Sequence, residues 1–130
     1  MKKAKLLVVE DSRQLLRILE DILVSEFSND AEILTARDGE EALTILKDSE
    51  INILITDQLM PRMDGDQLLA NLRENGTFDK LQAAFIVTAL FNVEDIQEKF
   101  SDVQVISKTD VFTELIPAVK SALHPDQIAA

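Results

Sequence analysis

Short apolar runs alternate five times with longer stretches of helical periodicity, and this alternation limits the fold more than any other feature of the sequence. The runs lie at residues 5–9, 32–36, 51–56, 84–88 and 103–106. Several are apolar almost without interruption, as expected of parallel strands covered on both faces. The second run carries the weakest pattern. The intervening stretches predict helices over 12–27, 39–47, 67–73, 93–100 and 113–123. In the first helix Leu15, Leu16, Ile18, Leu19, Ile22, Leu23 and Phe27 recur at three- and four-residue spacing and predict one wide buried stripe, started by Asp11 or Ser12 as cap. In the last, Pro117 has no N–H and would crowd the carbonyl of Thr113, so that helix is expected to start at Phe112 or Thr113. Five strand–helix units predict an α/β fold, an open parallel sheet with helices on both sides and right-handed crossovers.

A chain of 130 residues, 46% of them apolar, is enough for one domain and one core, here expected at 1–123 with a short tail at 124–130. The net charge of −11 repels phosphate backbones and argues against direct nucleic-acid binding, although solubility alone accounts for it as readily. Without cysteine there are no disulfides, thiolate metal sites or cysteine nucleophiles. The basic start, Met1-Lys2-Lys3-Ala4-Lys5, is followed by only Leu6-Leu7-Val8-Val9 before Glu10-Asp11, too short for a signal peptide. No run reaches the roughly 18 apolar residues of a membrane span. A soluble, cytoplasmic protein without membrane insertion is expected.

In open α/β sheets, ligands bind beyond the carboxyl ends of the strands. Glu10 and Asp11 follow the first predicted strand, Asp57 the third, Thr88 ends the fourth and Lys108 lies just past the fifth. Each has an ordinary reading: a helix cap or turn for the acids, strand composition for Thr88, a surface lysine for Lys108. Their joint placement on one edge favours a site. Clustered carboxylates repel one another unless a cation lies among them. Hard oxygen donors without Cys or His favour Mg²⁺. A carboxylate so screened is a nucleophile able to form an acyl phosphate, and Lys108 and Thr88 can neutralise and hydrogen-bond phosphoryl oxygens.

Val8-Val9-Glu10-Asp11, Asp38-Gly39-Glu40-Glu41-Ala42-Leu43, the segment Ile55-Thr56-Asp57-Gln58-Leu59-Met60-Pro61-Arg62-Met63-Asp64-Gly65, Thr88-Ala89 and Lys108 occur in that order. Together they resemble a response-regulator receiver domain of the CheY-like type. The resemblance implies a flavodoxin-like (βα)5 fold, doubly wound, with five parallel strands in the order 2-1-3-4-5. It also implies that Asp57 accepts a phosphoryl group from a phosphohistidine on a sensor histidine kinase or histidine phosphotransfer protein. Asp11 and Asp57 would ligate Mg²⁺ directly, Glu10 through water, and Leu59 through its backbone carbonyl. Thr88 and Lys108 would bind the phosphoryl oxygens and pass the signal to the surface around the fourth helix, fifth strand and fifth helix. Such a chain is a signalling phosphoacceptor rather than a turnover enzyme. With no effector domain in the sequence, its output target is expected to be another protein.

The sequence departs from that family at several points. Val105 stands where an aromatic ring is usual, and a β-branched aliphatic cannot swing as a ring does. Thr109 replaces the proline that usually follows the lysine, so a trans Lys108–Thr109 bond is expected. Leu59 and Leu90 flank the acceptor and cannot hold a water for in-line attack, which predicts slow self-dephosphorylation. Rival readings fit less well. A haloacid-dehalogenase-like phosphatase needs an acid two residues after the nucleophile, where Leu59 stands, and a flavin carrier needs a glycine-rich phosphate loop where the chain has Glu10-Asp11-Ser12-Arg13. A receiver-fold binding module that acts without phosphorylation is the main alternative. His124, the one histidine, reads as a solvated residue near a helix end.

Overall fold

The strands form because apolar runs this short bury fully only when pressed between two helical layers. In the computed structural model, which describes residues 3–89 and 93–125, they are β1 (Ala4–Val9), β2 (Ala31–Ala36), β3 (Ile53–Thr56), β4 (Ala83–Thr88) and β5 (Gln104–Ser107). They make one parallel sheet in the order β2-β1-β3-β4-β5. This is the flavodoxin-like doubly wound arrangement, and the order turns back at β1, between β2 and β3. The helices are α1 (Arg13–Phe27), α2 (Gly39–Asp48), α3 (Gly65–Glu74), α4 (Val93–Glu98) and α5 (Ile116–Leu123). No described helix is long and apolar enough to cross a membrane.

Because strand side chains alternate between faces, each strand feeds two cores. Leu7, Val9, Leu54 and Ile86 pack with α2, α3 and α4 through Leu46, Leu68, Leu72 and Ile96. Leu6, Val8, Ile53, Ile55 and Ile106 pack on the other face with α1 and α5 through Leu19, Leu23, Leu115 and Val119. Ile18, expected in the α1 stripe, is 46% exposed, because it lies at the edge of a face already filled by Leu16, Leu19, Leu23 and Phe27.

Helix starts follow cap chemistry. The Ser12 hydroxyl accepts from the Leu15 N–H, making Ser12 the cap of α1. Asp38 accepts from Glu41 N–H at the start of α2. At α3 a reciprocal pair operates: Asp64 accepts from the Gln67 N–H while the Gln67 side chain accepts from the Asp64 N–H. That pair starts α3 two residues before the position that apolar spacing suggests. The largest difference lies before α5. The expected start at Phe112 or Thr113 is replaced by a π-helical turn, Val111–Leu115, and the α-helix begins at Ile116 with Pro117 in its first turn. Pro117 cannot donate to Thr113, and the wider turn, closed by the Ile116 N–H donating to the Val111 carbonyl, accommodates it. His124 is less solvated than expected: it ends α5, and its Nε2 lies 3.5 Å from Asp30 Oδ2.

Candidate functional site

Parallel register brings the acidic residues together. Val9 pairs with Thr56 at the carboxyl ends of the adjacent strands β1 and β3, so the next residues, Glu10 and Asp57, leave the sheet side by side. The backbone fixes both: the Asp57 N–H donates to the Val9 carbonyl at 2.9 Å and the Glu10 N–H to the Ala36 carbonyl at 3.1 Å. Carboxylate oxygens of Glu10, Asp11 and Asp57 lie within 4.8 Å of one another. Glu10 is 1% exposed and Asp57 6%, whereas Asp11 faces solvent.

Lys108, on the 3₁₀ turn Lys108–Asp110 after β5, reaches into this cluster. Its Nζ lies 2.7 Å from Glu10 Oε1 and 3.2 Å from Asp57 Oδ2. Asp57 Oδ1 accepts from the Gln58 N–H at 2.8 Å, and Glu10 Oε2 accepts from the Ser12 N–H at 3.0 Å. Burial works against the Lys108 charge, but the hydrogen bond to Glu10 and the fields of Asp57 and Glu10 outweigh it and hold the ammonium above its ordinary range. Asp11 is raised from the usual carboxylate value by partial desolvation and then by the neighbouring Glu10; its own backbone and Lys108 pull the other way. Three carboxylates facing one ammonium carry excess negative charge, and only oxygen donors surround it. That is the donor set of a hard divalent cation such as Mg²⁺.

Thr88 closes β4, is buried, and pairs in register with Ser107 of β5, which puts it on the same rim of the sheet. Leu59 lies on the loop between β3 and α3 with its side chain 59% exposed, and Leu90 falls outside the described residues. Val105 is buried in the core shared with α4, and the described residues contain no cis peptide bond, so Lys108–Thr109 is trans. Ser107 Oγ and Thr109 Oγ1 lie 2.9 Å apart across the lysine.

The β3–α3 loop closes tightly over the site. The Gly65 N–H donates to the Gln58 carbonyl at 2.8 Å. A Cβ at Gly65 would stand 2.6 Å from the Asp57 carbonyl oxygen, so only glycine fits. Arg62 takes the left-handed conformation, φ 67°, with its guanidinium 3.2 Å from Asp38. Gln58 escapes sequence reasoning, because a glutamine beside an acid reads as surface; it is in fact buried, and its Oε1 has no hydrogen-bond partner among the described residues.

Comparison with known proteins agrees with this geometry. Residues 6–120 match the family model described as the response regulator receiver domain. The chain is 37% identical over 95 residues to the probable transcriptional regulator ycf27 of Porphyridium aerugineum, covering 73% of this chain and 37% of that protein. It is 40% identical over 70 residues to the transcriptional regulatory protein CpxR of Escherichia coli, covering 54% of this chain and 28% of that protein. The chain therefore spans about a third of the length of these curated relatives. Among solved structures, it resembles the signal receiver domain of an HD domain-containing protein from Pseudomonas fluorescens, with TM-score 0.80, 23% identity and coverage of 97% and 98% of the two chains. It also resembles the response regulator TrrA of Thermotoga maritima in complex with Mg(2+)-BeF, with TM-score 0.76, 24% identity and coverage of 92% and 98%. With the family model matched over nearly the whole chain, the protein belongs to the response-regulator receiver domains of two-component systems.

Proposed function

We propose that this receiver takes a phosphoryl group from a phosphohistidine donor onto Asp57. The observation that carries the reading is the Asp57 carboxylate, nearly buried, 3.2 Å from the Lys108 ammonium and grouped with the oxygens of Glu10 and Asp11. An Asp57 oxygen attacks phosphorus in line. The phosphorus–nitrogen bond to the donor imidazole breaks, its electron pair stays on the nitrogen, and an acyl phosphate remains on Asp57. Lys108 would balance the transferred charge, and Thr88 would donate a hydrogen bond to a phosphoryl oxygen. Asp11, Asp57 and the Leu59 carbonyl would hold Mg²⁺ directly, with Glu10 acting through water. That cation supplies charge neutralisation at the transferring group. The Mg(2+)-BeF complex of the similar TrrA structure supports this assignment.

The donor is a sensor histidine kinase or a histidine phosphotransfer protein, and the output is a protein–protein contact in a cytoplasmic setting. On this reading residues 1–123 form the receiver unit and 124–130 a tail. The net charge of −11 favours output through protein rather than direct binding of nucleic acid by this unit. The test is the intact mass of wild type and Asp57→Ala after incubation with acetyl phosphate, with and without Mg²⁺. A single phosphoryl adduct that needs both Mg²⁺ and Asp57 is expected. Absence of an adduct in every condition would replace the reading with a binding module that acts without phosphorylation.

A further inference from the structure

Helix α4, like α5, is weakly anchored by apolar burial. It sends one buried side chain, Ile96, inward, as α5 sends Val119, against three buried residues in α2 and four in α3. Its other anchor is polar. Gln97 Oε1 accepts from the Val105 N–H at 2.7 Å, and Gln97 Nε2 donates to the Val103 carbonyl at 2.7 Å and the Phe100 carbonyl at 2.8 Å. Among the described residues β5 is an edge strand, paired with β4 alone. The Gln97 amide therefore occupies the outward backbone groups of Val103 and Val105 as a neighbouring strand would. An edge that seeks a partner strand is sealed by one side chain of the preceding helix.

We propose that Gln97 is a latch fastening α4 to the free edge of β5, and that occupation of the acceptor site opens it. The latch grips Val105, the residue that stands where the family usually carries a switching ring. Val105 pairs in register with Ile86, two residues before Thr88, and α4 follows Thr88 after only residues 89–92. A displacement of Thr88 toward a group on Asp57 is thus delivered to the start of α4, while Gln97 holds the other half of this short helix to β5. The helix moves away from β5 only by surrendering the amide contacts to Val103 and Val105. Coupling through a hydrogen-bonded side chain needs no rotating ring, which suits a buried, stiff valine at 105.

The opening step rests on the acceptor reading of Asp57, and the experiment separates the two. Amide hydrogen exchange is followed by NMR on the full chain as wild type and Gln97→Leu, each alone and with Mg²⁺ and beryllofluoride. The Gln58 N–H, which donates to Asp57 Oδ1, reports occupation of the acceptor, and Leu54 in the sheet centre reports global unfolding. Gln97→Leu is expected to speed exchange at Val105 about tenfold or more, with Leu54 within about twofold of wild type, since a lost local hydrogen bond opens one segment and not the whole fold. Beryllofluoride is expected to raise Val105 exchange in wild type toward that of the variant and to add little in the variant. Equal Val105 exchange in wild type and Gln97→Leu would overturn the latch. A Gln58 resonance that shifts while Val105 exchange stays unchanged would overturn its link to the site. A Gln58 resonance that does not respond to beryllofluoride would overturn the acceptor reading, and with it the opening step, leaving the Gln97→Leu comparison to decide the latch itself.

Discussion

Replacing Lys108 with Met removes the ammonium from between two carboxylates that have little access to water. At 2.7 Å from Glu10 and 3.2 Å from Asp57, and with an effective dielectric of about 20, the gross attractions are about 6 and about 5 kcal/mol. Most of this is offset in the wild type by desolvation of the three groups. In the variant, water entry and proton uptake relieve part of the repulsion that remains. Breaking a buried pair by removing one partner costs about 3–5 kcal/mol, and because the lysine is partly open to solvent the lower end, about 3 kcal/mol, is expected here. The assay is urea unfolding at pH 7 in EDTA, with the loss read as a lower midpoint at unchanged slope. Mg²⁺ should then restore more stability to the variant than to the wild type. The ammonium and the cation compete for the same carboxylates, and a ligand at free concentration L that binds only the folded state stabilises it by RT ln(1 + L/Kd). Apparent Mg²⁺ affinity, taken from the same midpoints, should rise in Lys108→Met. A loss below about 1 kcal/mol in EDTA, or a weaker Mg²⁺ response than wild type, would falsify this electrostatic account.

Gly65→Ala forces a methyl group against the Asp57 carbonyl at 2.6 Å, and the loop must shift at a cost of about 1–3 kcal/mol, measurable by thermal or urea unfolding; wild-type stability would contradict the close approach. Arg73 grips Asp102 through two contacts of 2.6 and 2.7 Å while stacking on Phe78, and its hydrogen bond holds the Asp102 carboxyl below the usual range. A depressed carboxylate stabilises above its unfolded pKa and loses that contribution as pH falls through its folded value. Asp102→Asn should therefore cost up to about 1 kcal/mol at pH 7, limited by the exposure of the pair, with the difference from wild type vanishing as pH drops below the ordinary carboxylate value of 3.8. A gap that persists at pH 2 would show that the carboxylate charge is not its source. Leu59→Asn places a water-holding amide beside the acceptor, so the phosphorylated form should decay several-fold faster in a mass time course; an unchanged lifetime would remove Leu59 from control of hydrolysis.

The sheet was legible because its strands are buried on both faces. Leu6-Leu7-Val8-Val9 and Ile53-Leu54-Ile55 announce themselves by uninterrupted apolar character, and the site follows from asking which residues stand where such runs end. The strand order came from the family resemblance, since alternation alone leaves several topologies. Boundaries were less readable, since they depend on local chemistry that apolar spacing does not record. The Asp64–Gln67 pair draws α3 back to Gly65, and Pro117 turns the approach to α5 into a π-turn. The arms of Gln97 and the burial of Gln58 were invisible for a related reason. An amide has no periodicity, and whether it meets backbone or water is settled by elements far along the chain. At Lys108 the sequence supplied the residue, and the 3₁₀ turn that follows β5 supplied its reach.

The carboxylates of residues 10, 11 and 57 stand past the ends of two strands, β1 and β3, and the ammonium of residue 108 stands past a third, β5. The carboxylates meet when β1 pairs with β3, and the ammonium joins them when β5 closes the far edge of the sheet. The repulsion among the carboxylates is therefore absent from the disordered chain and is created by the native pairing of the sheet. Interactions that appear after the folding barrier act on the rate of escape from the native state and leave the rate of reaching it nearly unchanged. Repulsion completed after that barrier leaves the folding rate intact while the finished chain carries a crowded anionic mouth. The strain of that mouth shortens the lifetime of the finished molecule, and a bound cation lengthens it again.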